Sequence, residues 1–188
     1  MQHESGLRSG DARSLVAPPA IAAVRYSPGD NAEAVLDQAV EQLRRRGVRV
    51  AGLLQHSLRE SEAERCRIVL ENLATGTQFD LSQNLGSGSQ ACSLDAQVLA
   101  DATSAIRDAL AGDAQLVVIN KFGALEAAGG GFRSEILQVV EAGIPLLTSV
   151  SHRFLPEWQA FVGELACDLP ANSDAILAWW DAWALAHA

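Results

Sequence analysis

At 188 residues with 48% hydrophobic side chains, the chain is long enough to bury one core and too apolar to be disordered. A formal net charge of -9 argues against a general nucleic-acid binder, because such proteins neutralise phosphates with clustered Lys and Arg. No apolar run approaches the ~20 residues of a membrane span, and three widely spaced cysteines, Cys66, Cys92 and Cys167, argue against a disulfide framework or a C-x-x-C zinc site.

Met1 to Pro19 is polar, then rich in Ala and Pro, without the apolar centre of a signal peptide. A disordered tail over 1–19 and a single α/β domain over 20–188 of a cytoplasmic, bacterial-type protein are expected. Ile21 to Tyr26 reads as a buried strand, Ser27 to Asp30 as a turn, and Asp30 or Asn31 as the cap of a helix with apolar period that Gly47 ends. The run Arg44-Arg45-Arg46 falls at that helix's carboxyl end, where cations favour the dipole. Val48 to Leu54 predicts a second strand ending at Gln55 and His56. Arg67–Leu73 and Gln78–Leu81, on either side of Ala74 to Thr77, predict a β-hairpin.

A Gly/Ser-rich loop from Leu85 to Ser93 leads to an amphipathic helix ending near Leu110. Leu116 to Ile119 is a short apolar run that stops at Asn120 and Lys121. A loop ending in Gly129-Gly130-Gly131 follows, then a helix from Phe132 to Ala142. Ile144 to Val150 predicts another strand, and helices near 155–164 and 173–187 finish the chain. Strand and helix alternate except at the hairpin, so the expected fold is a three-layer α/β domain. Its sheet is mostly parallel, with helices on both faces and an inserted β-hairpin. Polar residues at the carboxyl ends of such strands are candidate ligand groups.

Three segments resemble the small thermostable P-loop nucleoside triphosphatases of bacteria and archaea. They are Val50 to Leu54 with the hairpin sequence Asn72-Leu73-Ala74-Thr75-Gly76, then Val117 to Glu126 at the place of the Walker B strand, then Phe132 to Leu147. A closer likeness is to the bacterial family named domain of unknown function 2478. Asn120 to Arg133 is similar to its N-x-F-G-x-x-E-A-x-G-x-G-F-R signature, and Leu85 to Asp95 to its L-G-x-G-S-x-x-C-x-L-D. The family's association with molybdenum-transport genes implies a context in molybdenum handling.

The departures from the triphosphatase pattern shape the expected chemistry. A Walker A loop wraps phosphate with backbone amides and neutralises it with a lysine. The corresponding turn here, Tyr26 to Glu33, has one glycine, no lysine and two acidic residues, leaving Ser27 and Gly29 to touch any phosphate. The Walker B acids that would hold Mg²⁺ are replaced by Asn120 and Lys121. The resemblance without this machinery implies a degenerate domain that binds a small oxyanion, molybdate, tungstate or phosphate, or a nucleotide, as an accessory in molybdenum handling. The alternatives are a divergent hydrolase or transferase, and a protein-interaction subunit.

Lys121, with Arg133 and Asn120, can hold an oxyanion, or Lys121 can instead pair with Glu126, itself a candidate base or metal ligand. Gly86, Ser87, Gly88 and Ser89 offer donors for an anion-binding nest. Cys92 precedes a helix start, a position that suits either a reactive thiol or a buried packing residue. His56 and His152 end their strands at the same sheet edge, without metal-ligand spacing. The glycines at 129–131 allow close backbone approach to a ligand or to another loop. Trp179, Trp180 and Trp183 share helical spacing that suits core packing or a subunit contact, and a homo-oligomer is expected.

Overall fold

Strand and helix alternate through the residues that the computed structural model describes, 17–58, 67–81 and 96–188. Strand β1 (Ile21–Tyr26) leads to α1 (Ala32–Arg45) and β2 (Val50–Leu58). The hairpin follows as β3 (Arg67–Asn72) and β4 (Gln78–Asp80). Next come α2 (Ala96–Ala111), β5 (Leu116–Ile119), a one-turn α3 (Ala124–Ala127) and α4 (Arg133–Glu141). Strand β6 (Leu146–Ser151), α5 (Leu155–Val162), β7 (Ala166–Leu169) and α6 (Ser173–Ala186) complete the order.

The seven strands form one sheet in the order β4-β3-β2-β5-β6-β1-β7. Strands β2, β5, β6, β1 and β7 are mutually parallel, and the hairpin adds an antiparallel edge beyond β2. Burial on both faces explains the unbroken apolar strands: alternate side chains point to opposite sides and each side carries helices. Val117 and Ile119 of β5 pack with α2, α4 and α5, through residues such as Ile106, Ile136 and Trp158. Leu116 and Val118 face the other way, toward Leu36 and Leu43 of α1 and Ile176 and Trp180 of α6. The expected three-layer fold with an inserted hairpin is the observed one.

Local chemistry sets the boundaries. Asn31 caps α1 by accepting from the Ala34 amide at 3.1 Å, and Asn172 caps α6 by accepting from Ala175 at 2.8 Å. Gly52 lies within β2 at φ +105°, and a Cβ there would meet the Val118 carbonyl oxygen at 2.1 Å, so only glycine admits β5 this closely. Three features depart from the expectations. Strand β2 runs on to Leu58 because β3 pairs with it as far as Leu58↔Arg67. The loop after β5 holds the short α3, and the carboxyl segment contains β7, a four-residue strand paired to β1. No helix of the described residues is long and apolar enough to cross a membrane.

Candidate functional site

Parallel strands bring their carboxyl ends to one side, and here β1, β6 and β5 lie next to one another in that order. Two segments meet ligands in this architecture: the turn from β1 into α1, and the ends of β5 and β6.

The β1–α1 turn is filled by its own side chains. The Ser27 amide donates to the Asp30 carboxylate at 2.7 Å, and the Asp30 amide donates to the Ser27 carbonyl at 3.0 Å. Gly29 supplies the positive φ, +106°, that closes the turn. In the first turn of α1, the Glu33 carboxylate accepts from the Ser57 amide (2.7 Å), the Ser57 hydroxyl (2.6 Å) and the Gln55 side-chain amide (3.1 Å). A phosphate at a helix start is held by free amides and positive charge. Here Asp30 takes the Ser27 amide, Asn31 takes the Ala34 amide and Glu33 adds negative charge, so Ser27 and Gly29 are built as a self-closed turn.

The end of β5 is different. Asn120 is 1% exposed and sits against β6, where the Ser149 hydroxyl donates to its Oδ1. Its Nδ2 is buried and has no hydrogen-bond partner. The Thr148 hydroxyl donates to the Ile119 carbonyl at 2.6 Å and the Phe122 amide to the Ser149 carbonyl at 3.1 Å, fixing the chain on both sides of Asn120. Lys121 is half-buried and, among the described residues, has no carboxylate partner. It is also the only lysine in the chain.

Glu126 does not pair with Lys121. Buried at 5% exposure, its carboxylate accepts from the Gly123 amide at 2.9 Å and the Phe132 amide at 3.0 Å, tying both ends of the α3 loop together. Gly131 makes room for it, since a Cβ there would lie 2.0 Å from Glu126 Oε1. The close approach permitted by the glycine run is therefore to this carboxylate. Both Glu126 oxygens are engaged by main chain, which leaves the candidate base and metal ligand serving as a loop clasp.

Arg133 is drawn away from a purely anionic role. Its guanidinium lies 4.1 Å over the Phe161 ring and donates to the Glu126 carbonyl at 3.2 Å. Phe161 in turn packs with Phe122 and Trp158, so Arg133 seals an aromatic cluster beneath the loop. His56 is bound at 2.9 Å to Glu71 across the β2–β3 pair, and His152 is exposed just after β6. The structure does not join these histidines: β5 separates their strands. Gly86, Ser87, Gly88, Ser89, Cys92 and Cys66 lie outside the described residues. Burial pushes the Cys167 thiol above the usual range, with the backbone as a smaller opposing influence.

Sequence reasoning missed Ser149. Ser149 sits in an apolar strand, where a hydroxyl needs a partner, and that alone was the available signal. A cavity of about 190 Å³ between Arg49, Ala74 and Asp113 lies at the opposite, amino end of β2 and β5, remote from these groups.

Comparison with known proteins places the family and the fold. The family model described as protein of unknown function (DUF2478) matches residues 21–179. The molybdenum import ATP-binding protein ModC 2 of Bradyrhizobium diazoefficiens is 38% identical over 165 residues, which is 87% of this chain and 18% of that protein. Thus the chain spans less than a fifth of that relative. Nucleoside-triphosphatase THEP1 of Methanosarcina acetivorans is 33% identical over 135 residues, covering 69% of this chain and 75% of that one. The crystal structure of THEP1 from the hyperthermophile Aquifex aeolicus aligns with a TM-score of 0.62 at 15% identity, covering 87% of this chain and 98% of that chain. The chain belongs to the DUF2478 family and has the fold of the small P-loop nucleoside triphosphatases, with its β1–α1 turn closed on itself.

Proposed function

We propose that this protein binds a small oxyanion, or the phosphate end of a nucleotide, at the carboxyl ends of β5 and β6 and does not hydrolyse it. The reading is carried by two successive residues at the end of β5: Lys121, without a carboxylate partner among the described residues, and Asn120, whose buried Nδ2 has no hydrogen-bond partner. An unmet buried donor costs roughly 1–3 kcal/mol, which an anionic acceptor would recover. Lys and amide donors together suit a charge-assisted grip.

The nucleoside-triphosphatase name of one relative and the shared fold favour a ligand bearing phosphate. The molybdenum import name of another favours molybdate and a part in molybdenum handling. Retained hydrolysis is disfavoured because Glu126 is occupied by two main-chain amides and the β1–α1 turn has no lysine.

Thermal melting in mixed salt separates these ligands. Molybdate or phosphate should raise the midpoint in wild type and fail to do so in Lys121→Ala. A rise unaffected by Lys121→Ala would place binding elsewhere. Steady phosphate release from ATP or GTP with Mg²⁺ would overturn the non-hydrolytic reading.

A further inference from the structure

The carboxyl edge of the sheet is unusual in what it offers a ligand. At the end of β5 the groups without partners among the described residues are both donors: the Lys121 ammonium, and the Asn120 Nδ2, whose companion Oδ1 is already taken by Ser149. Among the described residues, the carboxylates of Glu126, Glu33 and Asp30 are engaged. Both oxygens of Glu126 receive main-chain amides, both oxygens of Glu33 receive hydrogen bonds from Ser57, and Asp30 receives the Ser27 amide. Among the described residues no three His, Cys, Asp or Glu side chains converge.

A nucleoside triphosphate normally arrives with Mg²⁺, and Mg²⁺ is held through one or two protein carboxylates together with phosphate oxygens. An ammonium on the residue that follows an unpartnered amide NH₂ does the opposite. It repels the cation and seeks the same oxygens the cation would occupy. Resting on the binding role proposed above, we infer that the site takes its oxyanion free of divalent metal, so that Mg²⁺ competes with the protein for the ligand.

Titration calorimetry with inorganic phosphate, molybdate and ATP, each in EDTA and in excess Mg²⁺, tests this. Carbon-13 reductive methylation keeps the amine charged and gives one lysine signal besides that of the chain terminus, so binding is read at residue 121 itself. The expected result is a shift of that signal by at least one anion in EDTA, with ATP affinity falling severalfold or more when Mg²⁺ is added. ATP affinity that rises with Mg²⁺ while still depending on Lys121 overturns the inference and leaves the binding role standing. No Lys121-dependent binding under either condition overturns both.

Asn120→Asp supplies the missing carboxylate at nearly the same volume. It should weaken anion binding tenfold or more in EDTA and recover part of the loss with Mg²⁺. Unchanged binding in that variant would remove Asn120 from the site. Lys121→Gln, which keeps a donor without the charge, should lose most of the affinity at an unchanged melting temperature.

Discussion

The turn from β1 into α1 and the ends of β5 and β6 lie on the same side of one sheet, yet they are finished in opposite ways. At the turn, Asp30 and Glu33 satisfy the Ser27 and Ser57 amides. At the β5 end, an ammonium and a side-chain amide are left without partners among the described residues. A fold can therefore keep the same strand ends while differing in which of them carries unpartnered donors. On the binding role proposed above, an anion goes to the unmet donors after β5 rather than to the turn after β1.

The largest effect expected on this contrast is structural. Gly131→Ala drives a Cβ into the Glu126 carboxylate at a residue with φ +58°, and should cost about 3 kcal/mol or more by denaturant unfolding. A loss below 1 kcal/mol would mean that the loop repacks and that the clasp is not what shapes the β5 edge. Glu126→Gln turns one of two acceptors into a donor facing a main-chain amide, and about 2 kcal/mol should be lost. Were Glu126 instead a free base, that variant would fold with unchanged stability.

Lys121→Ala sharpens the comparison from the other side. Stability should stay within about 0.5 kcal/mol of wild type, since the half-buried side chain has no ion-pair partner among the described residues, while oxyanion affinity measured by calorimetry falls at least tenfold, about 1.4 kcal/mol. Asp30→Ala is milder, since the hydrogen bond is at an exposed turn. About 0.5–1 kcal/mol should be lost, with anion affinity unaltered. A new phosphate site appearing in Asp30→Ala would show that the turn is a blocked rather than a lost binding position. The smallest effect concerns Cys167: with its thiol held in the neutral form by burial, alkylation followed by peptide mass mapping should be slower there than at a free cysteine. The sign follows from the raised value. The folded state binds the thiol proton more tightly than the unfolded chain, so any stability it contributes declines as pH rises past the ordinary thiol range.

Much of the architecture was legible because it depends on local pattern. Leu116 to Ile119 is apolar on both alternations, which requires helices on both faces, and Asn31 and Gly47 mark the limits of α1 by capping chemistry. The short pieces were not legible. Four residues of β7, one of them Asp168, have no period to detect, and the strand exists because β1 offers a free edge. Likewise α3 is one turn held by a side chain six residues from its second partner.

The candidate site divides in the same way. Sequence alone named Asn120 and Lys121, because a strand's carboxyl end and a lost acidic pair are local facts. It offered two fates for Lys121 and could not choose between them. Only the tertiary structure decided that Glu126 turns inward to two amides, that Arg133 stacks on Phe161 from a distant helix, and that Ser149 takes the one oxygen of Asn120. The physical reason is that propensity and period are carried by neighbours in the chain, whereas which donor is left over depends on every group that folding brings within hydrogen-bond reach.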